Sequence, residues 1–259
     1  MGQVPLERAL SKLGMMSRSQ TKRLVEEGRL KVNGQLIKDP AFLLVPETAR
    51  ITIDGKPVRR AVACTIMLYK PRGIVTTKRD EKGRRTAYDL LPAYLQHLHP
   101  VGRLDMASTG LLLMTTDTQL SNFLTDPDNE IPRIYAVSVA GRITDEQIKR
   151  LSEGIQDKGQ LLKASLITLR KAGNKESHLI IELCEGKNRE IRRMFEALGS
   201  EVTALKRISF GKLKLGTLKP GEFREVEPST VIPECFCRES RDGANPGPPT
   251  KTFGGDILG

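Results

Sequence analysis

The chain has no tryptophan, and its 259 residues include only four tyrosines and seven phenylalanines. Any site that stacks a flat ligand on an aromatic ring must draw on very few side chains. Cysteine is as scarce. Of Cys64, Cys184, Cys235 and Cys237 only the last two are close, and His97, His99 and His178 are scattered. That pattern lacks the paired clusters of a zinc site and offers no disulfide framework, which fits a reducing compartment. No apolar run approaches the roughly 20 residues needed to span a bilayer. Residues 1–15 lack the apolar stretch of a secretory signal. These absences predict a soluble, cytoplasmic protein with no membrane segment, no metal and no cofactor.

Acidic residues are also outnumbered, 31 against 42 Lys and Arg, for a net charge of +11. An excess of this size predicts a polyanionic partner, because cationic side chains release the counterions condensed on phosphates. The excess is uneven. Residues 1–60 hold twelve basic and six acidic residues, so +6 of the +11 falls in less than a quarter of the length.

Residues 1–60 read as a separate small module. Leu6, Leu10 and Leu13 recur at helical spacing, and Gly14 ends that helix. Ser17 and Gln20 form a capping-box pattern that opens a second helix, which closes at Gly28. Asn33-Gly34 sits between alternating apolar residues, a strong signal for a hairpin, and a second such pair, Asp54-Gly55, follows Ile51-Thr52-Ile53, so the module reads helix, helix, hairpin, strand. Arg18, Lys22 and Arg29 lie on or beside the capped helix, where they are candidates for tracking a phosphate backbone.

Residues 61–232 form the larger unit. Strands are expected at Thr65–Tyr69, Ile74–Thr77, Gly110–Thr115, Ile134–Val139, Leu166–Leu169, Leu179–Leu183 and Val202–Phe210. Helices are expected after Asp117, after Thr144, and after Asn188 as a cap. Gly211–Thr217 has the look of half a phosphate loop, but no Lys follows its second Gly, so it reads as a hairpin. Strands that follow one another without helices between them predict an α+β fold: a helix-helix-hairpin module, then a largely antiparallel mixed sheet. Residues 233–259 are expected to be a disordered tail. Eight of the last 22 residues are Gly or Pro.

The segment most specific for chemistry is Gly102-Arg103-Leu104-Asp105-Met106-Ala107-Ser108-Thr109-Gly110-Leu111-Leu112-Leu113. Physically it is a polar turn entering a buried strand, a place where a scaffold can hold a functional carboxylate. On spacing alone, Asp105 serves equally well as a turn-capping residue.

This segment resembles the signature of pseudouridine synthases, in the branch that modifies ribosomal RNA. Lys70-Pro71-Arg72-Gly73, Arg133-Ile134-Tyr135-Ala136-Val137 and Glu185-Gly186-Lys187-Asn188-Arg189-Glu190-Ile191-Arg192-Arg193-Met194 resemble further motifs of the family, in its order and spacing. The N-terminal module resembles the small RNA-binding domain named for ribosomal protein S4. Together the resemblances cover about residues 4–230. Two departures stand out: Arg133 replaces the usual Lys, and the turn Thr116-Asp117-Thr118 lacks the usual Gly.

The resemblance implies a reaction that breaks the N1–C1′ bond of one uridine, turns the uracil and rejoins it through C5. No water is consumed, so one carboxylate suffices, unlike the paired acids of glycoside hydrolases. It implies Asp105 as the catalytic carboxylate, which attacks the sugar, attacks the uracil or abstracts a sugar proton. It implies Tyr135 packed on an extruded uracil and Arg192 as the ion-pair partner of Asp105 in a dry pocket. Arg103, Arg133 and Arg193 join Arg18, Lys22 and Arg29 as expected RNA contacts. The partner is then ribosomal RNA and the enzyme a monomer. A non-catalytic RNA-binding or ribosome-assembly factor is the alternative, and it has no need to keep Asp105, Tyr135 and Arg192 together.

Overall fold

The computed structural model describes residues 2–12, 15–46, 48–58, 64–227 and 230–231. The first strand, β1 (Val4–Pro5), leads into α1 (Leu6–Lys12), whose Leu6, Ala9 and Leu10 are fully buried. Leu13 and Gly14, the expected end of that helix, lie outside the described residues. Helix α2 (Arg18–Glu26) starts where the capping box places it: the Ser17 N–H donates to Gln20 Oε1 at 2.9 Å, and the Gln20 N–H to Ser17 Oγ at 3.2 Å. Two hairpins follow. Strands β2 (Leu30–Val32) and β3 (Gln35–Leu36) turn at Asn33 and Gly34, with φ of 51° and 86°. β4 (Leu43–Leu44) pairs back with β1. β5 (Ile51–Ile53) and β6 (Lys56–Pro57) turn at Asp54 and Gly55, with φ of 50° and 78°. Positive φ at both turn residues is the type I′ geometry these sequences favour. The order β3-β2-β5-β6 covers the helices with one shared core that includes Leu6, Leu10, Val25, Leu30 and Ile51.

The second sheet carries nine strands. They are β7 (Thr65–Lys70), β8 (His99–Val101), β9 (Thr109–Thr115), β10 (Arg133–Ala140), β13 (Leu166–Lys171), β14 (Glu176–Leu183), β15 (Val202–Phe210), β16 (Leu213–Lys214) and β17 (Phe223–Glu225). A separate hairpin joins β11 (Ile155–Asp157) to β12 (Gln160–Leu162). The main path runs β13-β14-β10-β15-β9-β7-β17, with β8 on β9 and β16 on β15. Among the described residues every strand pairing in this sheet is antiparallel except β9 with β15. Helices α3 (Thr118–Thr125), α4 (Asp145–Glu153) and α5 (Glu190–Glu196) pack on the sheet. Leu151 of α4 and Met194 and Phe195 of α5 bury against Val137, Leu179 and Ile181. Strand β9 is apolar along its length because both of its faces are covered, whereas β14 alternates. The α+β, largely antiparallel architecture is as expected.

The single parallel pair depends on one glycine. Gly110 has φ +104°, and a Cβ built there would lie 2.2 Å from the Arg207 carbonyl oxygen. Only a residue without a side chain lets β9 approach β15 that closely.

Two local expectations are corrected. Ile74–Thr77 is not a strand. Apart from an isolated bridge of Val75 to Thr86, this stretch is a turn that grips the next loop. Asn188 does not cap α5. Arg189 precedes the helix with φ +50°, and the Glu190 carboxylate turns the entry by accepting the Lys187 N–H at 3.1 Å. The expected tail, residues 233–259, lies outside the described residues. Among the described residues no helix is long and apolar enough to cross a membrane, and no group of His, Cys, Asp and Glu is arranged to hold a metal ion.

Candidate active site

Asp105 sits in the loop between β8 and β9, half-buried, with a hydrogen-bonded residue on each side. Thr76 grips Leu104 twice: its hydroxyl donates to the Leu104 carbonyl at 2.8 Å and accepts the Leu104 N–H at 3.3 Å. The Gly73 N–H donates to the Met106 carbonyl at 2.8 Å, and the Ser108 N–H to that of Asp105 at 3.0 Å. The gripping turn is itself tied down by Lys70. This ammonium is fully buried and donates to the Pro71 and Ile74 carbonyls at 3.0 and 2.6 Å. Burial pulls Lys70 down to about 8, with the Asp105 charge acting in the other direction. The Lys70–Thr77 motif therefore works as a cradle for the Asp105 backbone.

Across the sheet, Gly110 on β9 is level with Arg207 on β15, and Arg207 is level with Tyr135 on β10. Neighbouring strands lie about 4.8 Å apart, so this rung puts Tyr135 roughly 10 Å from the mouth of the Asp105 loop. Asp105 and Tyr135 line one cavity of about 550 Å³ with Arg103, Ser108, Arg133, Glu190 and Arg207. The volume falls in the range of ligand pockets, roughly 300–1,000 Å³. Tyr135 is half-buried, and among the described residues its hydroxyl has no hydrogen-bond partner.

Arg192 stands differently from the expectation. It forms no ion pair with Asp105. Its guanidinium donates to the Val202 carbonyl at 2.9 Å and to that of Ala107, two residues beyond Asp105, at 3.4 Å. Burial lowers its pKa, helped by Arg189 and opposed by the Asp105 charge. A half-buried Asp105 keeps contact with water and does not require the pair. Arg192 thus ties α5 to the Asp105 loop through the backbone.

Two of the residues expected to contact RNA, Arg133 and Arg193, are engaged within the protein. Arg133 is only 6% exposed, donating to the Leu124 and Cys184 carbonyls at 2.8 and 3.0 Å with its guanidinium 5.1 Å from the Phe210 ring centre. Arg193 is nearly buried and ties α5 to the β11–β12 hairpin through Asp157 Oδ2 at 2.5 Å and Gln160 Oε1 at 2.9 Å. On the N-terminal module Arg29 is held by Asp54 and Glu27, and Lys22 lies 3.5 Å from Glu7. Arg18 and, at the cavity rim, Arg103 are exposed with no protein partner among the described residues.

Sequence reasoning missed two cavity residues. Arg207 is 2% exposed. Its Nε donates to the Leu111 carbonyl at 2.7 Å, and its Nη2 is buried without a partner. Glu190 is 3% exposed, and burial raises its carboxyl to about 7, with Oε1 also unpartnered. Arg207 lies in a strand that reads as ordinary β-sheet, and Glu190 lies inside a motif that drew attention to its arginines. A charged residue at an inward position of an apolar strand was the available signal for Arg207.

Comparison with known proteins agrees with this geometry. Residues 65–197 match the RNA pseudouridylate synthase family, and residues 4–48 match the S4 domain. A ribosomal large subunit pseudouridine synthase B of Bacillus subtilis (strain 168) is 37% identical over 231 residues, covering 87% of this chain and 93% of the relative. An uncharacterized RNA pseudouridine synthase of Aquifex aeolicus (strain VF5) is 34% identical over 227 residues, 87% of this chain and 91% of the relative. A crystal structure of a pseudouridylate synthase superposes with a TM-score of 0.63 at 27% identity, covering 88% of this chain and 98% of that one. A gripped aspartate facing a tyrosine across one cavity, in a sheet of this topology and on these matches, makes the chain a member of the RNA pseudouridylate synthase family, an RNA pseudouridine synthase with an S4 domain ahead of its catalytic sheet.

Proposed function

We propose that this enzyme converts one uridine of ribosomal RNA to pseudouridine, with residues 1–60 docking on a structured RNA and residues 61–232 carrying the chemistry. The observation that carries the site assignment is the shared cavity of Asp105 and Tyr135. Asp105 is the reacting carboxylate, fixed by a doubly gripped backbone so that little reorganisation is needed. Tyr135 packs on the extruded uracil and offers its free hydroxyl as a donor or relay. Arg103 at the rim meets the phosphate of the flipped nucleotide, and Arg192 positions the Asp105 loop. All of these residues belong to one copy of the chain, so a monomer suffices. The relatives named as ribosomal large subunit enzymes point to the large-subunit RNA as the substrate.

The test is to map pseudouridines in ribosomal RNA from a strain lacking this protein. One site should disappear, return with the wild-type gene, and stay absent with Asp105→Asn, whose protein still binds the RNA within about tenfold. An unchanged pseudouridine map overturns the substrate assignment. Full restoration by Asp105→Asn overturns the role of Asp105.

A further inference from the structure

The structure assigns to Arg207 a catalytic role that rests on the function proposed above: its Nη2 donates a hydrogen bond to a carbonyl oxygen of the flipped uracil and stabilises the negative charge that gathers there.

Three observations carry this. First, Arg207 is 2% exposed, lines the cavity shared by Asp105 and Tyr135, and has a buried Nη2 with no protein partner. Buried donors are nearly always satisfied, and an exception at a cavity wall points to a partner that arrives with the ligand. Second, the guanidinium is already fixed. Its Nε is bonded to Leu111, and it lies 4.8 Å from the Phe210 ring centre. A donor held in place in advance needs little reorganisation at the moment of reaction. Third, the cavity wall holds a second buried cation, Arg133, against the same ring. Burial keeps the nearby Glu190 carboxyl half-neutral near pH 7, so the wall retains positive character.

The chemistry asks for such a donor on every path open to Asp105. If Asp105 attacks C1′ or removes a sugar proton, the N1–C1′ bond breaks and its electron pair stays with the base, spread over N1, O2 and O4. If Asp105 adds to C6 of the uracil, the displaced ring electrons collect on C5 and O4, and the N1–C1′ bond then breaks with its electron pair left on N1. In each case C5 then bonds to C1′, the C5 proton leaves, N1 gains a proton, and Asp105 departs as the free carboxylate, returning to the sugar any proton it took. Atoms and charge balance, and the ring is anionic in between. A guanidinium fixed and buried in the cavity wall is matched to that charge and not to the neutral uridine that enters.

The test pairs a protein change with a change in the RNA. The RNA is a synthetic stem around the uridine mapped as above, carrying uridine, 2-thiouridine or 4-thiouridine at the target. A thiocarbonyl accepts hydrogen bonds poorly. Single-turnover loss of the N1–C1′ bond is measured with the wild-type enzyme and with Arg207→Lys, which keeps the charge but loses Nη2. Arg207→Lys should slow the uridine reaction by about 100-fold, within the usual range for one such donor, while RNA affinity stays within threefold. At one of the two sulfur positions, the rate change caused by sulfur should differ between the two proteins by at least tenfold, because the bond it would weaken is already gone in the variant. Equal sulfur effects in both proteins at both positions overturn the inference. If Arg207→Lys does not fold, as judged by its melting curve, Arg207→Gln takes its place. If neither folds, the wild-type enzyme alone decides: a selective loss at one sulfur position supports the contact, and equal effects at both overturn it. Wild-type turnover of the unmodified stem keeps the two readings apart. Its absence overturns the proposed function and this inference with it, whereas equal sulfur effects beside normal turnover overturn this inference alone.

Discussion

Among single residues, the two adjacent arginines of α5 show how a motif and a fold divide the work. Arg192 reaches the Ala107 carbonyl beside Asp105, and Arg193 reaches Asp157 on the β11–β12 hairpin. One position along a helix is a turn of about 100°, so neighbours face different elements. Arg192→Ala should cut single-turnover rates by about 100-fold with a modest change in melting temperature, and Arg192→Lys should recover part of the loss. Arg193→Ala should do the reverse. It removes one member of a largely buried ion pair, at a cost of about 2–4 kcal/mol, and leaves turnover per folded molecule within about threefold. Thermal melts beside single-turnover assays separate the two; matching losses of rate would show that both act on the site. Glu190 gives a pH signature. Its folded pKa, about 7, lies above the ordinary carboxylate value, so the folded protein holds a proton that the unfolded chain has released. That contribution is fully present below about pH 4.5 and is lost as pH rises through 7. Glu190→Gln should therefore melt close to wild type at pH 5 and several degrees higher at pH 8. An identical offset at both pH values would rule out a buried, titrating Glu190. The family resemblance pointed to Asp105 and Tyr135 because their motifs are local in the chain, and both residues line one cavity. The contact of Arg192 was not, because a motif fixes which residue approaches a site and not which atoms it meets.

Among elements, those written in consecutive residues were the readable ones. The Ser17 box, the Asn33-Gly34 and Asp54-Gly55 turns and the Asp117 cap each need only neighbours in the chain, and each forms as read. The Ile74–Thr77 stretch was misread because its composition suits a strand while its hydrogen bonds go to a loop some 28 residues on. Thr76 is buried and makes both contacts with Leu104 through one hydroxyl. Thr76→Val keeps the shape and removes both. The variant should fold and bind RNA as the wild type does, and convert it at least tenfold more slowly, since small misplacements of a reacting group are costly. Conversion at the wild-type rate would show that the grip on Leu104 does not set the position of Asp105.

For the whole molecule, charge and substrate reach are the issue. The +6 of residues 1–60 is an upper limit on what the module offers to phosphates, because Arg29 and Lys22 already face acids. Deleting residues 1–60 should weaken RNA binding and flatten its salt dependence by about 0.7–0.9 in the logarithmic slope for each phosphate contact removed. A truncated protein that still melts cooperatively but keeps the wild-type slope would show that the module does not touch the backbone.

The close approach of β9 and β15 at Gly110 also bears on how the enzyme is made. The two strands meet across 96 residues of sequence, from Leu111 to Arg207, far more than the hairpin pairs of the sheet and second only to the pairing of β7 with β17, where Leu68 meets Phe223. Contacts of such high order form late, because loop closure must be met before they can contribute. The half-sheet that brings Asp105 and the half-sheet that brings Tyr135 and Arg207 can each gain structure before they are zipped along this seam. During synthesis the Asp105 half leaves the ribosome first and waits for β15. The cavity shared by Asp105 and Tyr135 is therefore assembled late in folding, so a partly made chain has the carboxylate without the wall that faces it.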